Sequence, residues 1–166
     1  MKLIKEYLPY VVIIIIIVLI RQFIVTPVRV DGESMDPTLS NGEILILNKL
    51  DNSFELFDIV VIKYGTEKII KRIIGLPGDY IEYKNNILYI NNEIVEENFL
   101  ENDTKTSDFK LSDLGYKVIS DGFYFVVGDN RDNSLDSRII GLVKKSDIIG
   151  TTKLALFPFD KFGILE

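Results

Sequence analysis

Ser34 stands in the stretch Val30-Asp31-Gly32-Glu33-Ser34-Met35-Asp36-Pro37-Thr38-Leu39, where Gly, Asp and Pro supply the turn chemistry of a loop. A serine hydroxyl is a weak nucleophile until a neighbouring base takes its proton, so a reactive Ser34 needs a partner. The 166-residue chain contains no histidine and no cysteine. That removes a Ser-His-Asp triad, a Cys-His pair and any His- or Cys-ligated zinc together, and leaves a carboxylate or a lysine as the base. No cofactor or metal is expected.

Among the lysines, Lys71 has the most telling surroundings, Glu67-Lys68-Ile69-Ile70-Lys71-Arg72-Ile73-Ile74-Gly75. Read as a strand, this segment puts Ile69, Lys71 and Ile73 on one face and Ile70, Arg72 and Ile74 on the other. Each face then carries one cation among isoleucines. A lysine acts as a base only when neutral, so its pKa must fall from about 10.4 towards the working pH. Burial against apolar side chains pushes it that way. The ordinary alternatives are a lysine snorkelling from a sheet edge and a serine that is only part of a loop. Taken singly, neither residue excludes them.

The elements that must hold these two groups follow from hydropathy and turn chemistry. Tyr7 to Val25 is the one segment of membrane-spanning character, and as a helix of nineteen residues it covers about 28 Å, near the hydrocarbon thickness of a bilayer. Thr26-Pro27-Val28-Arg29 lacks the small residues of a cleavage site, and Val11 to Ile20 is apolar all round, so an anchor is expected rather than a cleaved signal or a core helix. Lys2 and Lys5 against Arg21 favour a cytoplasmic N-terminus and an exported remainder. The formal net charge is −6; residues 1 to 26 hold three basic and one acidic residue, leaving 16 basic against 24 acidic, or −8, for the rest. Nucleic acid is therefore not an expected partner. The absence of cysteine leaves the redox compartment open.

Beyond the anchor, Val28 to Val30 reads as a short extended piece, and strands are expected at Glu43 to Asn48, Phe57 to Ile62 and Lys68 to Gly75. Residues 80 to 96 form a meander in which Asn85-Asn86 and Asn91-Asn92 make two tight hairpins, because Asn tolerates positive φ. Residues 97 to 117 are polar and aperiodic, a surface excursion. Strands return at Gly122 to Val127 and around Ile148 to Leu156. The expected architecture is one mostly β, antiparallel domain over 27–166 after a cytoplasmic tip and anchor over 1–26.

Three stretches together carry a family resemblance: Ser34-Met35-Asp36-Pro37-Thr38-Leu39, then Lys71-Arg72-Ile73-Ile74-Gly75-Leu76-Pro77-Gly78-Asp79, then Gly128-Asp129-Asn130-Arg131-Asp132-Asn133-Ser134-Leu135-Asp136-Ser137-Arg138. They resemble, in order, three sequence boxes of bacterial type I signal peptidases. Asp58-Ile59-Val60-Val61 resembles a fourth, with Phe57 where the family commonly has glycine. The likeness covers nearly the whole chain and is closest to the compact Gram-positive form, with the fold of that family's β-rich catalytic domain after one transmembrane helix.

The resemblance implies a membrane-bound serine endopeptidase that removes signal peptides from exported pre-proteins on the outer face of the cell membrane. It gives Ser34 the role of nucleophile and Lys71 that of general base. Ser134 would hydrogen-bond and orient the Lys71 amine, Asp136 and Arg138 would form a structural ion pair, and Asp129 and Arg131 would shape the same loop. Its partners would be signal peptides, the lipid bilayer and the secretion translocon. Substrate would add as a strand, with Val30, Gly32, Met35, Leu39 and Ile70 as candidates for its binding site, although core packing explains the apolar ones equally well. Gly32 stands where some members have a hydroxyl-bearing serine, which leaves one oxyanion donor unassigned beside the Ser34 N–H. The alternatives are a serine-lysine protease of different purpose, such as the self-cleaving repressors, and a catalytically silent, membrane-tethered β-domain that binds exported peptides.

Overall fold

The computed structural model describes residues 2–165, with side chains from residue 7 onward. Helix α1 (Lys2–Phe23) leads into β1 (Val25–Arg29), β2 (Ile44–Asn48), β3 (Ile59–Tyr64), β4 (Glu67–Gly75), β5 (Ile81–Lys84), β6 (Ile87–Ile90), β7 (Glu93–Val95) and β8 (Phe109–Lys110). There follow β9 (Phe123–Val127), one turn of helix α2 (Ser137–Ile140), β10 (Val143–Lys144), β11 (Ile148–Phe157) and β12 (Gly163–Ile164). The strands make a large sheet in the order β1-β2-β11-β3-β4-β9-β10, with β12 beside β11, and a small one in the order β7-β6-β5-β8. The mostly β, antiparallel expectation matches this architecture.

The expected helix over Tyr7 to Val25 forms but stops at Phe23, because Val25 already pairs with Asn48 as the first residue of β1. Its large side chains from Tyr7 to Phe23 are exposed all round. Among the described residues no helix is long and apolar enough to cross a membrane; residues 7–23 rise about 26 Å. The expected charge bias rests on Lys2 and Lys5, whose side chains lie outside the described residues. Lys49 Nζ donates to the carbonyls of Arg21 and Gln22 at 3.4 and 3.1 Å, a cation on the carbonyl-rich end of α1.

Strand β4 pairs with β3 along its length and with β9 from Arg72 onward, and neither Lys71 nor Arg72 snorkels to solvent. They are 2 % and 1 % exposed. Strand β3, covered on both sides by neighbours, is buried continuously from Ile59 to Ile62, which is why it reads as an unbroken apolar run. The strand expected from Phe57 begins only at Ile59. Phe57 has φ +71, a left-handed conformation that a strand cannot use and that explains why glycine suits this position. Asn85, Asn86, Asn91 and Asn92 all have positive φ, as two tight hairpins require.

Three apolar clusters form the core. One, under the Ser34 loop, joins Val30, Met35 and Leu39 to Leu45, Leu47, Val61 and Ile70. A second glues the small sheet to the large one, Ile81, Tyr83 and Leu88 against Ile74, Phe125 and Val127. The third packs Val60, Ile62 and Ile73 with Tyr124 and Val126. The segment 97–117 is more than a surface excursion: it contains β8, Leu111 is fully buried, and Thr106 is 6 % exposed. Two-residue strands carry too little periodicity to announce themselves in a polar stretch.

Candidate active site

The loop carrying Ser34 is closed at its base by two backbone bonds, Val30 N–H to Glu43 O at 2.8 Å and Gly42 N–H to Val30 O at 2.9 Å. Just after Ser34 the chain makes a turn, with the Leu39 N–H donating to Met35 O at 2.9 Å. That turn sends Met35 and Leu39, four apart and so on one side, into the core. Ser34 itself stays half-buried. On its far side the loop is gripped by Asn130, whose backbone N–H donates to Ser34 O at 3.1 Å and whose Nδ2 donates to Glu33 O at 3.0 Å. Nothing in the local sequence marks Asn130 for this role.

Lys71 reaches Ser34 from β4. Its Nζ donates to Ser34 Oγ at 2.5 Å and to Ile70 O at 3.0 Å, within the reach a general base needs. Burial pushes the Lys71 amine down from 10.5 to about 8; attraction to Asp136 and Asp129 opposes the fall, and Arg138 adds to it. Desolvation wins because the neutral form loses nothing in a dry site while the ammonium loses its water.

The loop after β9 supports this pair. Gly128 passes so close to Ser34 O and Ser134 Oγ that a Cβ would collide with both, so no larger residue fits. Asp129 is held by Arg72 in a two-pronged pair, Nε to Oδ1 at 3.0 Å and Nη2 to Oδ2 at 2.8 Å, which ties the loop to β4. Asp136 accepts from the Gly128 N–H at 3.1 Å and from Arg138 Nε and Nη2 at 2.9 and 2.8 Å. Burial would raise the Asp136 pKa, but the Arg138 guanidinium outweighs it and keeps the carboxyl below its usual range. Ser134 Oγ is buried near Asp136 without a hydrogen bond of good geometry to any group; it does not bond the Lys71 amine in this structure.

Arg131 does not pair with Asp129. Its Nη2 donates to Glu97 Oε1 at 2.6 Å, and its Nη1 donates to Thr106 Oγ1 at 2.9 Å and to Tyr83 OH at 3.2 Å. Glu97, Tyr83 and Thr106 thus fasten the small sheet to the loop, and nothing in their local sequence marks them.

A cleft of about 280 Å³ runs beside Ser34, with Val30, Met35 and Ile70 along it. Leu39 is not among its walls but fully buried beneath in the core. Gly32, at φ +96, borders open space and donates its N–H to Asn41 Oδ1 at 3.3 Å. Strand β9 pairs with β4 only from Arg72 to Gly75, so the first half of β4 presents a free edge to the cleft. A larger hollow of about 380 Å³ near Phe57, Phe99 and Lys153 includes no hydroxyl nucleophile.

A free-edged cleft beside a serine and a buried lysine has the geometry that peptide hydrolysis requires. The chain belongs to the signal peptidase family, peptidase S26, whose model matches residues 3–157. It is 43 % identical to signal peptidase I S of Bacillus subtilis over 96 % of this chain and 92 % of that protein. It is 36 % identical to signal peptidase IB of Staphylococcus aureus over 95 % and 93 %. The crystal structure of a signal peptidase I from Enterococcus faecalis superposes with a TM-score of 0.55 at 33 % identity, covering 60 % of this chain and 96 % of that one.

Proposed function

We propose that this chain cleaves signal peptides from exported pre-proteins, with Ser34 as nucleophile and Lys71 as general base. The observation that carries it is the 2.5 Å contact between Ser34 Oγ and a buried lysine amine. When Lys71 is neutral the Ser34 hydroxyl donates to the Nζ lone pair. Oγ then attacks the scissile carbonyl as the proton passes to Nζ, and the Ser34 N–H supports the developing oxyanion. The ammonium returns that proton to the leaving amine, giving an acyl-enzyme ester. Water, deprotonated by the same amine, releases the acid and regenerates Ser34. Asp129, Asp136 and Arg138 act at one remove, by fixing the loop against Lys71 and setting the field around it. The exposed apolar side chains of residues 7–20 in α1 support reading it, together with the residues flanking them, as a membrane anchor with the catalytic domain on the outer face; cleavage of that domain by external protease on intact cells tests the orientation.

The direct test is cleavage of a pre-protein in nonionic detergent by wild type, Ser34→Ala and Lys71→Ala. Wild type alone should turn over, and equal rates in all three would refute the assignment. The base predicts a pH dependence of definite sign. Below about 8 the amine is protonated, so kcat/KM should rise roughly tenfold per pH unit and level off above it. A profile flat from about pH 6 to 9 would rule out a neutral lysine as the base.

A further inference from the structure

We propose that Lys68 selects the substrate side chain five residues before the cut and favours a carboxylate there. The inference rests on the proposed peptidase activity and concerns how that site reads its substrate.

Lys68 and Ile70 both border the cleft beside Ser34. The β3–β4 ladder is regular between them, Lys68 opposite Lys63 and Ile70 opposite Val61, so the two side chains share a face about 6.6 Å apart. Ile70 is 7 % exposed and forms part of the apolar floor, whereas Lys68 is exposed and, among the described residues, has no hydrogen-bond or ion-pair partner. The cleft therefore carries, beside the apolar side chain of Ile70, an ammonium without a partner among the described residues.

A peptide added to the free edge of β4 is extended, and every second side chain meets the floor. With the residue before the cut at Ser34 and Met35, and the third residue over Val30 and Ile70, the fifth lies one pleat repeat further out, at Lys68. A carboxylate at that position meets the ammonium, and a cation meets its repulsion. Exposed pairs of this kind change an equilibrium by about two- to fivefold. Arg29 and Asp31, also bordering the cleft, carry opposite charges and largely cancel. An edge lysine kept only to discourage strand pairing would be indifferent to the substrate residue.

The test uses the full chain in nonionic detergent and three peptides that differ only in Glu, Ala or Lys five residues before the cut. In wild type kcat/KM for the Glu peptide should exceed that for the Lys peptide about tenfold at low salt, and the ratio should shrink at high salt. Lys68→Gln should bring the ratio to about one and Lys68→Glu should invert it. If wild type cleaves the Ala peptide yet treats Glu and Lys alike, or if the Glu preference survives in Lys68→Glu, the Lys68 assignment is wrong and the proposed function stands. If wild type cleaves none of the three, both fall.

Discussion

Lys71→Met is expected to lose turnover by about three orders of magnitude or more, and yet to be more stable than wild type at pH 7. The amine titrates at about 8 in the fold against 10.5 in the reference state. Between those values the unfolded chain binds more protons than the folded one, so wild-type stability should rise with pH there. Below about 8 the penalty for the buried ammonium is fully present. Two and a half pKa units correspond to roughly 3 kcal/mol. Methionine has nearly the same shape and no charge. It forfeits the bonds from Nζ to Ser34 Oγ and Ile70 O, each worth about 1 kcal/mol net. The balance is a gain of about 1 kcal/mol at pH 7 that vanishes at about pH 9 and becomes a loss of about 2 kcal/mol above about pH 10.5, where only the forfeited bonds remain. Thermal unfolding followed by circular dichroism across pH measures it. Ser34→Ala should match the loss of turnover with little change in stability, since its hydroxyl is half-buried. A Lys71→Met protein that still cleaved would end the case for lysine as the base. One that melted earlier than wild type at pH 7 would show that the amine carries no burial penalty.

Composition narrowed the base for Ser34 by elimination, while the family resemblance of the three boxes is what singled out Lys71 as its partner. Without histidine or cysteine, a base had to be a carboxylate or lysine, and a two-residue period placed Lys71 among isoleucines. The same logic found the strands whose alternation or continuous burial is strong, and the two Asn-Asn hairpins. The pairing of Asp136 with Arg138 came from the resemblance of the third box; the two are two residues apart and need only a local turn to meet.

Partnerships between distant residues were not legible. Asp129 and Arg131 sit in one loop, yet their side chains diverge, one to Arg72 on β4 and the other to Glu97 beyond β7. A loop between two sheets can aim neighbouring residues in opposite directions, and local sequence does not record which. Ser134 shows the complementary limit. Its place in the third box pointed to Lys71, whereas the path of Gly128 puts its hydroxyl beside Asp136, and it makes no hydrogen bond to the Lys71 amine.

Glu97→Ala is expected to cost about 3–5 kcal/mol of stability, the scale for removing one partner of a buried ion pair. The Arg131 side chain is 1 % exposed and that of Glu97 9 %. Without the carboxylate the guanidinium keeps only neutral acceptors, Tyr83 OH, Thr106 Oγ1 and Gly128 O, which do not replace the lost charge. Tyr83 loses a partner as well, because its hydroxyl donates to Glu97 Oε1 at 2.9 Å. Glu97→Gln, which keeps an acceptor and drops the charge, should fall between wild type and alanine. If the penalty comes from the stranded guanidinium, removing both charges should relieve it. Glu97→Leu combined with Arg131→Met should then recover to within about 1–2 kcal/mol of wild type. Urea unfolding of the full chain in detergent, followed by circular dichroism, measures wild type and the three variants. Activity should separate from stability in the double variant. Arg131 Nε donates to Gly128 O at 3.2 Å, and methionine cannot hold the loop that way, so a refolded double variant should still turn over more slowly than wild type. A double variant as unstable as Glu97→Ala would place the cost in lost packing between the two sheets, not in the buried charge.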